Sequence, residues 1–500
     1  MSIILAFPLF SIIICFLGTV FCSFSKKKVA YIISLFTCLL VAFLSFIVCY
    51  YCYIKDQSFI YTMGHYPPNE EKIRVCNEIR FGPLEGFLAC FFAIILFLCI
   101  LGGKTFYQND IDEKKQNNYF TMMCLVLVSN LALIYTNDIF TAYVFIEIST
   151  LISCGCLMIK DKGTVILSTI RYMIFNLVGS GLFLIGIVTL YSLSGYLSIE
   201  NIATYLKSLD NLPFSCLVSF SLITIGLSIK AGLFPFHYWM PDAYGNATPT
   251  SSSVLSGIVT KSYIILLIKV IFRMFTYEVI STTPLLNILF VLGILGMIIG
   301  SINAIHQTSI NRMIAFSSAA QIGYIFMGIG LGEESAIIAC LFHILTHAIT
   351  KPLLFISGKK LSQDANGLKK FRNLRGVGRI DYTSGIAFSV GAFSMVGLPL
   401  FAGFISKYLF VDVSISLSIP LWMKITAICA LIASTVLNAI YFLRTVVTIY
   451  LPIEKDNYQK EKYDKSYILS IFMFIALNIC LGLGSALFIQ ILEKGFKLFY

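Results

Sequence analysis

Gly232-Leu-Phe-Pro-Phe236 interrupts an apolar run otherwise long enough to cross a bilayer, and Gly397-Leu-Pro-Leu-Phe401 interrupts another in the same way. Proline removes a backbone hydrogen bond, and non-helical backbone at bilayer depth survives only where protein or a water-filled cavity covers it. Paired broken helices mark transporter repeats whose sites lie near the midplane. Two ordinary proline kinks are the plainer alternative.

The chain around these breaks is 500 residues, 58% hydrophobic and 12% charged, with a mean hydropathy of +0.87. No soluble class has that balance. At about 20 apolar residues per span, fourteen helices are expected near 3–23, 30–51, 84–102, 119–136, 138–158, 166–192, 214–235, 250–272, 284–303, 312–331, 335–358, 385–410, 423–447 and 467–492. The breaks fall in the seventh and twelfth, five spans apart. Five is odd, so the repeats must be inverted. The expected layout is 1–118 (first three spans), 119–275 (first five-helix repeat), 276–450 (second, inverted repeat) and 451–500 (a loop and the last span). Met1–Phe21 lacks a basic start and precedes Lys26, Lys27 and Lys28, so it reads as a retained first helix.

A net charge of +11 raises the question of nucleic acid, but the basic residues lie in short clusters between apolar runs. Membrane topology explains them better. Twenty-two of the 36 Lys and Arg fall in odd-numbered connections, including seven from Lys359 to Arg379, and nine on the other side. That bias makes the odd connections cytoplasmic and both termini external, in a multi-pass protein of the cell membrane. The run from Lys359 to Arg379 is expected to be a solvated loop open to a partner or anionic lipid.

Cys49 and Cys52 form a CxxC and Cys154 and Cys156 a CxC among fifteen cysteines. Neither has a matching second pair or Cys/His quartet, and both read as small packing residues. No metal, cofactor or redox centre is expected.

Lys230, Lys261, Lys351 and Lys407 lie inside the spans, where a lysine costs at least ~2.5–3.5 kcal/mol and needs partners, water or a purpose. Glu147 is nine residues beyond Asp138, about 13–14 Å deeper and close to mid-bilayer. A lone carboxylate there would take up a proton, whereas a Glu147–Lys230 pair would keep both charges; a static structural ion pair is the alternative. His343, His347 and Lys351 recur at i, i+4 and i+8 on one helix face, a stripe that waters could complete into a proton relay. A zinc motif is excluded because Ile344 stands where the HExxH pattern requires Glu. Lys269, eight residues beyond Lys261, is expected to snorkel to the interface. His237, Asp242 and the prolines Pro241 and Pro249 read as a polar turn.

Four segments carry a resemblance: Ser228-Ile-Lys-Ala-Gly-Leu-Phe-Pro-Phe-His-Tyr-Trp-Met-Pro-Asp242, Gln307-Thr-Ser-Ile-Asn-Arg-Met-Ile-Ala-Phe-Ser-Ser-Ala-Ala-Gln-Ile-Gly-Tyr324, Phe342-His-Ile-Leu-Thr-His-Ala-Ile-Thr-Lys-Pro-Leu-Leu-Phe355 and Gly397-Leu-Pro-Leu-Phe-Ala-Gly-Phe-Ile-Ser-Lys407. Together they resemble the antiporter-like membrane subunits shared by respiratory complex I, Mrp cation/proton antiporters and membrane-bound hydrogenases. The resemblance is strong from Asn137 to Lys407 and weak at both ends. It implies a proton path through Glu147, Lys230, Lys261 and Lys407. Lysine at 407, the absence of a long C-terminal extension, and the stretch Met63-Gly-His-Tyr-Pro continuing to Asn77-Glu-Ile-Arg-Phe-Gly-Pro-Leu-Glu85 look most like the D-type branch of the Mrp antiporters. The pair His343/His347 departs from it. The implied partners are other membrane subunits, protons and Na⁺, and no nucleic acid. A proton-pumping subunit of a redox enzyme would use the same residues, while a stand-alone solute carrier would enclose a substrate pocket instead of a line of titratable groups.

Overall fold

The computed structural model describes residues 3–62, 78–209, 211–276, 280, 283–452 and 464–499. Met63–Pro67 and most of the stretch beyond it, and the basic residues Lys455, Lys460 and Lys462, lie outside the described residues.

Helices dominate: α1 (Phe7–Phe24), α2 (Lys27–Lys55), α3 (Pro83–Gly102), α4 (Gln116–Tyr135), α5 (Ile139–Met158), α6 (Gly163–Ser194), α7 (Phe214–Ala231), α8 (Pro249–Met274), α9 (Leu285–Ile305), α10 (Ile310–Leu331), α11 (Glu334–Asp364), α12 (Tyr382–Val396), α13 (Ala402–Ser416), α14 (Leu421–Tyr450), α15 (Lys465–Leu483) and α16 (Ser485–Lys497). Among the described residues, thirteen helical stretches are long and apolar enough to cross a membrane. The chain is an all-α polytopic membrane protein, with one antiparallel hairpin, β1 (Phe59–Thr62) with β2 (Glu78–Phe81), between α2 and α3. Each expected span has its helix. The twelfth is divided into α12 and α13, and the fourteenth into α15 and α16 at Gly484.

The two breaks share one local geometry. Gly232 has φ +81° and Gly397 φ +92°, conformations that only glycine adopts without cost. Leu233 N–H donates to Ser228 C=O and Leu398 N–H to Phe393 C=O, each at 3.0 Å, so both helices end by the same six-residue closure. Beyond Gly232 the chain does not form the polar turn expected for His237 and Asp242. It resumes as a helical turn at Phe236–Trp239 and a short helix at Met240–Asn246, because Pro241 sits at a helix start, where its missing N–H costs nothing.

Ion pairs join the odd-numbered connections into one face: Lys27–Glu113 at 2.7 Å, Lys115–Asp161 at 2.6 Å, Lys359–Asp110 at 3.2 Å, Lys104–Asp464 at 2.9 Å and Arg312–Asp242 at 2.7 Å. Lys369 Nζ donates to Gly245 C=O at 3.3 Å and ties the remaining pair of connections in. Arg80–Glu200, Arg273–Glu200 and Lys494–Asp56 lie on the opposite face. An even number of crossings therefore separates the start of α1 from the end of α16. The run from Lys359 to Arg379 is the solvated loop expected only in part: Lys359 and Lys360 belong to α11, with Lys360 buried against Asp364 at 2.9 Å, while Lys370, Arg372 and Arg379 are exposed.

A backbone bridge repeats on opposite faces. At the start of α5, Ile139 N–H donates to Leu197 C=O and Ile199 N–H to Asn137 C=O; five spans on, at the start of α10, Ile310 N–H donates to Lys369 C=O and Phe371 N–H to Thr308 C=O. Both bridges join the entry of one span to the segment after the next.

Candidate functional site

Two of the helices that carry candidate residues, α8 and α11, have apolar windows wholly buried within the chain, as has α10. In α8, α-helical turns give way to π turns at Leu255–Val259 and again at Val270–Met274. Such turns shift side chains out of α register and recur at functional sites. Lys261 follows the first and Lys269 precedes the second.

Lys230 ends α7 just ahead of Gly232. Its stem is reached by α6 at a close crossing, where a methyl group on Gly179 would stand 2.8 Å from Gly226 C=O and 3.2 Å from the Lys230 Cγ. Lys230 is fully buried, and its Nζ donates to Thr150 Oγ1 at 2.9 Å and lies 5.7 Å from the centre of the Tyr263 ring. Glu147 is one turn from Thr150 on α5 and near enough to Lys230 for their charges to interact. Among the described residues no ion pair joins them, and Glu147 Oε1 is buried without a hydrogen-bond partner. The expected contact pair is a charge-coupled pair with a hydroxyl between.

Lys261 is fully buried and donates to Thr260 Oγ1 at 3.3 Å. Lys351, also fully buried, donates to Ile314 C=O at 3.1 Å and to the Ser317 hydroxyl. The two imidazoles interact electrostatically with both lysines. His343 Nδ1 is 2.6 Å from Ser406 Oγ, and its ring centre is 6.3 Å from that of His347. His343 Nε2 and both nitrogens of His347 are buried and unpartnered. Three orphaned ring nitrogens on one helix face are places for water, since a buried polar group left unpaired costs about 1–3 kcal/mol.

Lys407 is half-buried in α13 and donates to Val396 C=O at 2.8 Å and Thr435 Oγ1 at 3.2 Å. A residue not singled out from sequence connects it to the stripe. The Tyr324 ring stacks on His343, centres 5.4 Å apart and 16° from parallel, while Lys407 Nζ lies 5.7 Å from its centre. Only tertiary packing brings α10, α11 and α13 together here, so no local pattern could have signalled it. Lys261, His343, His347 and Lys351 all interact electrostatically, as do His343 and Lys407. The structure thus brings the six groups from Lys230 to Lys407 into two clusters, one around Lys230 with Glu147 and one from Lys261 to Lys407. Among the described residues no carboxylate belongs to the second, and its lysines are met by hydroxyls and carbonyls.

Lys269 does not snorkel. It is fully buried and donates to the carbonyls of Leu133, Ile134 and Thr136, capping the C-terminus of α4, where a cation meets the helix dipole. Asp242 bridges Arg171 at 2.5 Å and Arg312 at 2.7 Å, tying α6 to α10 across the basic face. His237 is buried with both nitrogens unpartnered. Cys154 and Cys156 are buried thiols of α5, and Cys49 and Cys52 thiols of α2; no group of three or more metal-ligating side chains gathers among the described residues.

On the basic face, Asp110 sits between Lys160 at 3.5 Å and Lys359 at 3.2 Å. Burial works against the Asp110 carboxylate, but the two ammonium groups hold its carboxyl below the usual range. Burial, and then the charge of Lys359, push Lys160 down to about 8.

Residues 136–437 match the family model for the membrane region of NADH:quinone oxidoreductase and Mrp antiporter subunits. The chain is 30% identical over 375 residues to the N-type subunit of NADH-quinone oxidoreductase from Desulforudis audaxviator, covering 75% of this chain and 73% of that protein. It is 23% identical over 382 residues to the D-type subunit of the Na⁺/H⁺ antiporter from Alkalihalophilus pseudofirmus, covering 76% and 75%. Its fold matches a chain of the archaeal membrane-bound sulfane sulfur reductase, a respiratory membrane complex, with a TM-score of 0.86 and 23% identity over 99% of this chain and 97% of that one.

Proposed function

Because the chain belongs to the NADH:quinone oxidoreductase/Mrp antiporter membrane family, we propose that it is a proton-translocating subunit of a multisubunit membrane complex, with Glu147, Lys230, Lys261, His343, His347, Lys351 and Lys407 as its proton path. The observation that carries this is the burial of ionisable groups with orphaned polar atoms between them. A static scaffold has no use for four buried lysines and imidazoles, Lys261, His343, His347 and Lys351, in enclosed helices without a matching carboxylate beside them among the described residues.

The path lies in two inverted five-helix repeats, residues 119–275 and 276–450. The paired breaks and the paired bridges on opposite faces support that division. The basic face is cytoplasmic, both termini are external and the membrane is the cell membrane, as the excess of Lys and Arg favours.

The driving partner is a Mrp-type Na⁺/H⁺ antiporter assembly in which this chain fills the D-type position, a reading supported by lysine at 407. A redox-driven pump is the second reading, favoured by the higher identity to the NADH-quinone oxidoreductase relative, 30% against 23%. Affinity purification from native membranes tests both. Copurifying membrane subunits without iron–sulfur proteins, with Na⁺-dependent proton movement in vesicles, supports the antiporter, and iron–sulfur partners select the pump. A monomer that moves no protons would sink both.

A further inference from the structure

The stripe His343, His347, Lys351 does not stop at Lys351. Continued at the same spacing, it passes Phe355 and reaches Lys359, about 12 Å beyond Lys351 at 1.5 Å per residue. Lys359 meets Asp110 at 3.2 Å, and Asp110 meets Lys160 at 3.5 Å. These three side chains come from separate places: the end of α11, the end of the short helix Lys104–Asp110 that follows α3, and the residue pair after α5. Lys160 and Lys359 are largely shielded, with side chains 6% and 13% exposed, and Asp110 is 15% exposed. One carboxylate serves two ammonium groups in a place open enough to exchange with bulk water and closed enough to feel each charge.

Phe355 is the one apolar member of the stripe between the two lysines. Its ring meets that of Tyr244 edge-on, centres 6.2 Å apart, and the Tyr244 hydroxyl is buried without a hydrogen-bond partner. That hydroxyl lies beside Thr260, which accepts from Lys261. A water on Tyr244 would bypass Phe355 toward Thr260 and Lys261.

Resting on the proton-path reading above, we propose that Lys160, Asp110 and Lys359 form the proton-exchange mouth of the path on the basic face, with Phe355 and Tyr244 as the gated step inward. When Lys359 has passed its proton inward it is a neutral amine. A proton then leaves the Lys160 ammonium, crosses Asp110 and recharges Lys359, and Lys160 is reprotonated from bulk water. The groups that face Lys160 are Asp110, Lys359, Lys369 and Lys162. Its proton affinity, at about 8, is set by burial, by those cations and by the opposing carboxylate, so it exchanges readily near neutrality.

The two kinds of neighbour give opposite signs, which is the test. Asp110→Asn removes an attraction to the ammonium form and moves Lys160 to lower pH. Lys369→Gln removes a repulsion and moves it to higher pH. In the intact complex, the pH at which Lys160 becomes reactive to an amine-selective acylating probe is measured by mass spectrometry. The dependence of proton uptake on basic-face pH is measured in sealed vesicles of the same preparation. Both profiles are expected to shift together, by about one pH unit downward in Asp110→Asn and upward in Lys369→Gln. Lys359→Met, at wild-type assembly, is expected to cut uptake at least tenfold. If Lys160 labelling moves while the uptake profile stays where wild type has it, or if Lys359→Met transports normally, the mouth lies elsewhere. The wild-type uptake in those vesicles would still stand as evidence for the path itself. Wild-type vesicles without uptake would overturn the path and the mouth together.

Discussion

Lys230 Nζ donates to Thr150 Oγ1 at 2.9 Å, one helical turn from Glu147 on the same face of α5. The ammonium is therefore held next to the carboxylate by a neutral partner. At ~4 Å and an effective dielectric near 20, a closed Glu147–Lys230 pair is worth roughly 4 kcal/mol. One charge crossing ~150–200 mV requires about 3.5–4.6 kcal/mol. Opening and closing this contact is of the size that gates a proton. Glu147→Gln and Lys230→Ala are expected to abolish proton movement in vesicles with assembly intact. Thr150→Val, which removes a hydrogen bond to a charged group worth about 1.5–3 kcal/mol, should slow it roughly 10- to 100-fold. Wild-type rates in either charge variant would refute the assignment.

Gly397 closes α12 at φ +92°, and a methyl group there would stand 3.0 Å from Lys407 Cδ. Gly397→Ala combines a left-handed backbone cost of about 1–2 kcal/mol with displacement of the lysine stem. The variant is expected to melt several degrees lower and transport more slowly. Gly181→Ala, where nothing lies within 4 Å, is the matched control and should leave both unchanged. Equal behaviour of the two variants would show that the break tolerates an ordinary residue.

The orphaned nitrogens of His343 and His347 make the stripe depend on water. His343→Phe with His347→Phe should empty that space and lower the transport rate by at least tenfold at normal assembly. Tyr324→Phe should have a smaller effect, because the ring that stacks on His343 remains. Normal transport by the double variant would make the stripe structural.

Lys114 is exposed on the basic face and Ser208 is exposed between α6 and α7, toward the other. On a background without reactive native thiols, Cys429 and Cys480 being exposed, a cysteine at 114 is expected to label only from the cytoplasmic side. One at 208 should label only from outside. The reverse pattern would invert the topology.

Spans and breaks were legible because length, hydropathy and Gly-Pro chemistry are local quantities. Glycine at 232 and 397 announces its own backbone conformation, and the run of Lys and Arg announces its own face. What stayed hidden depends on neighbours far along the chain. Lys269 lies close enough to a helix end to escape to the interface, yet α4 offers it three carbonyls. The π turns of α8 have no sequence mark, and they alter which face Lys261 presents. Tyr324 lay within a recognisable segment, but its place between His343 and Lys407 exists only where α10, α11 and α13 meet. Depth and the family resemblance both point to Glu147 and Lys230, and neither reveals that Thr150 stands at the ammonium.

Lys407 is the one half-buried lysine of the path, held by Val396 C=O and Thr435 Oγ1 just beyond the second break. Both partners are neutral acceptors, so they favour the ammonium form without locking it as a carboxylate would. A terminal exchange group must release its proton as well as bind it, and lysine can do so when desolvated or approached by another cation. Guanidinium cannot, since it stays protonated in proteins. Lys407→Arg keeps the charge, the approximate length and both acceptors, so assembly and melting temperature should match wild type. Turnover should fall at least a hundredfold, read as proton movement with a pH-sensitive dye in sealed vesicles at equal protein. Lys407→Gln, which keeps a donor but no charge, should also stop. If Lys407→Arg runs near the wild-type rate while Lys407→Gln stops, the residue supplies only a fixed positive charge to His343 through Tyr324, and release occurs at another group on the path.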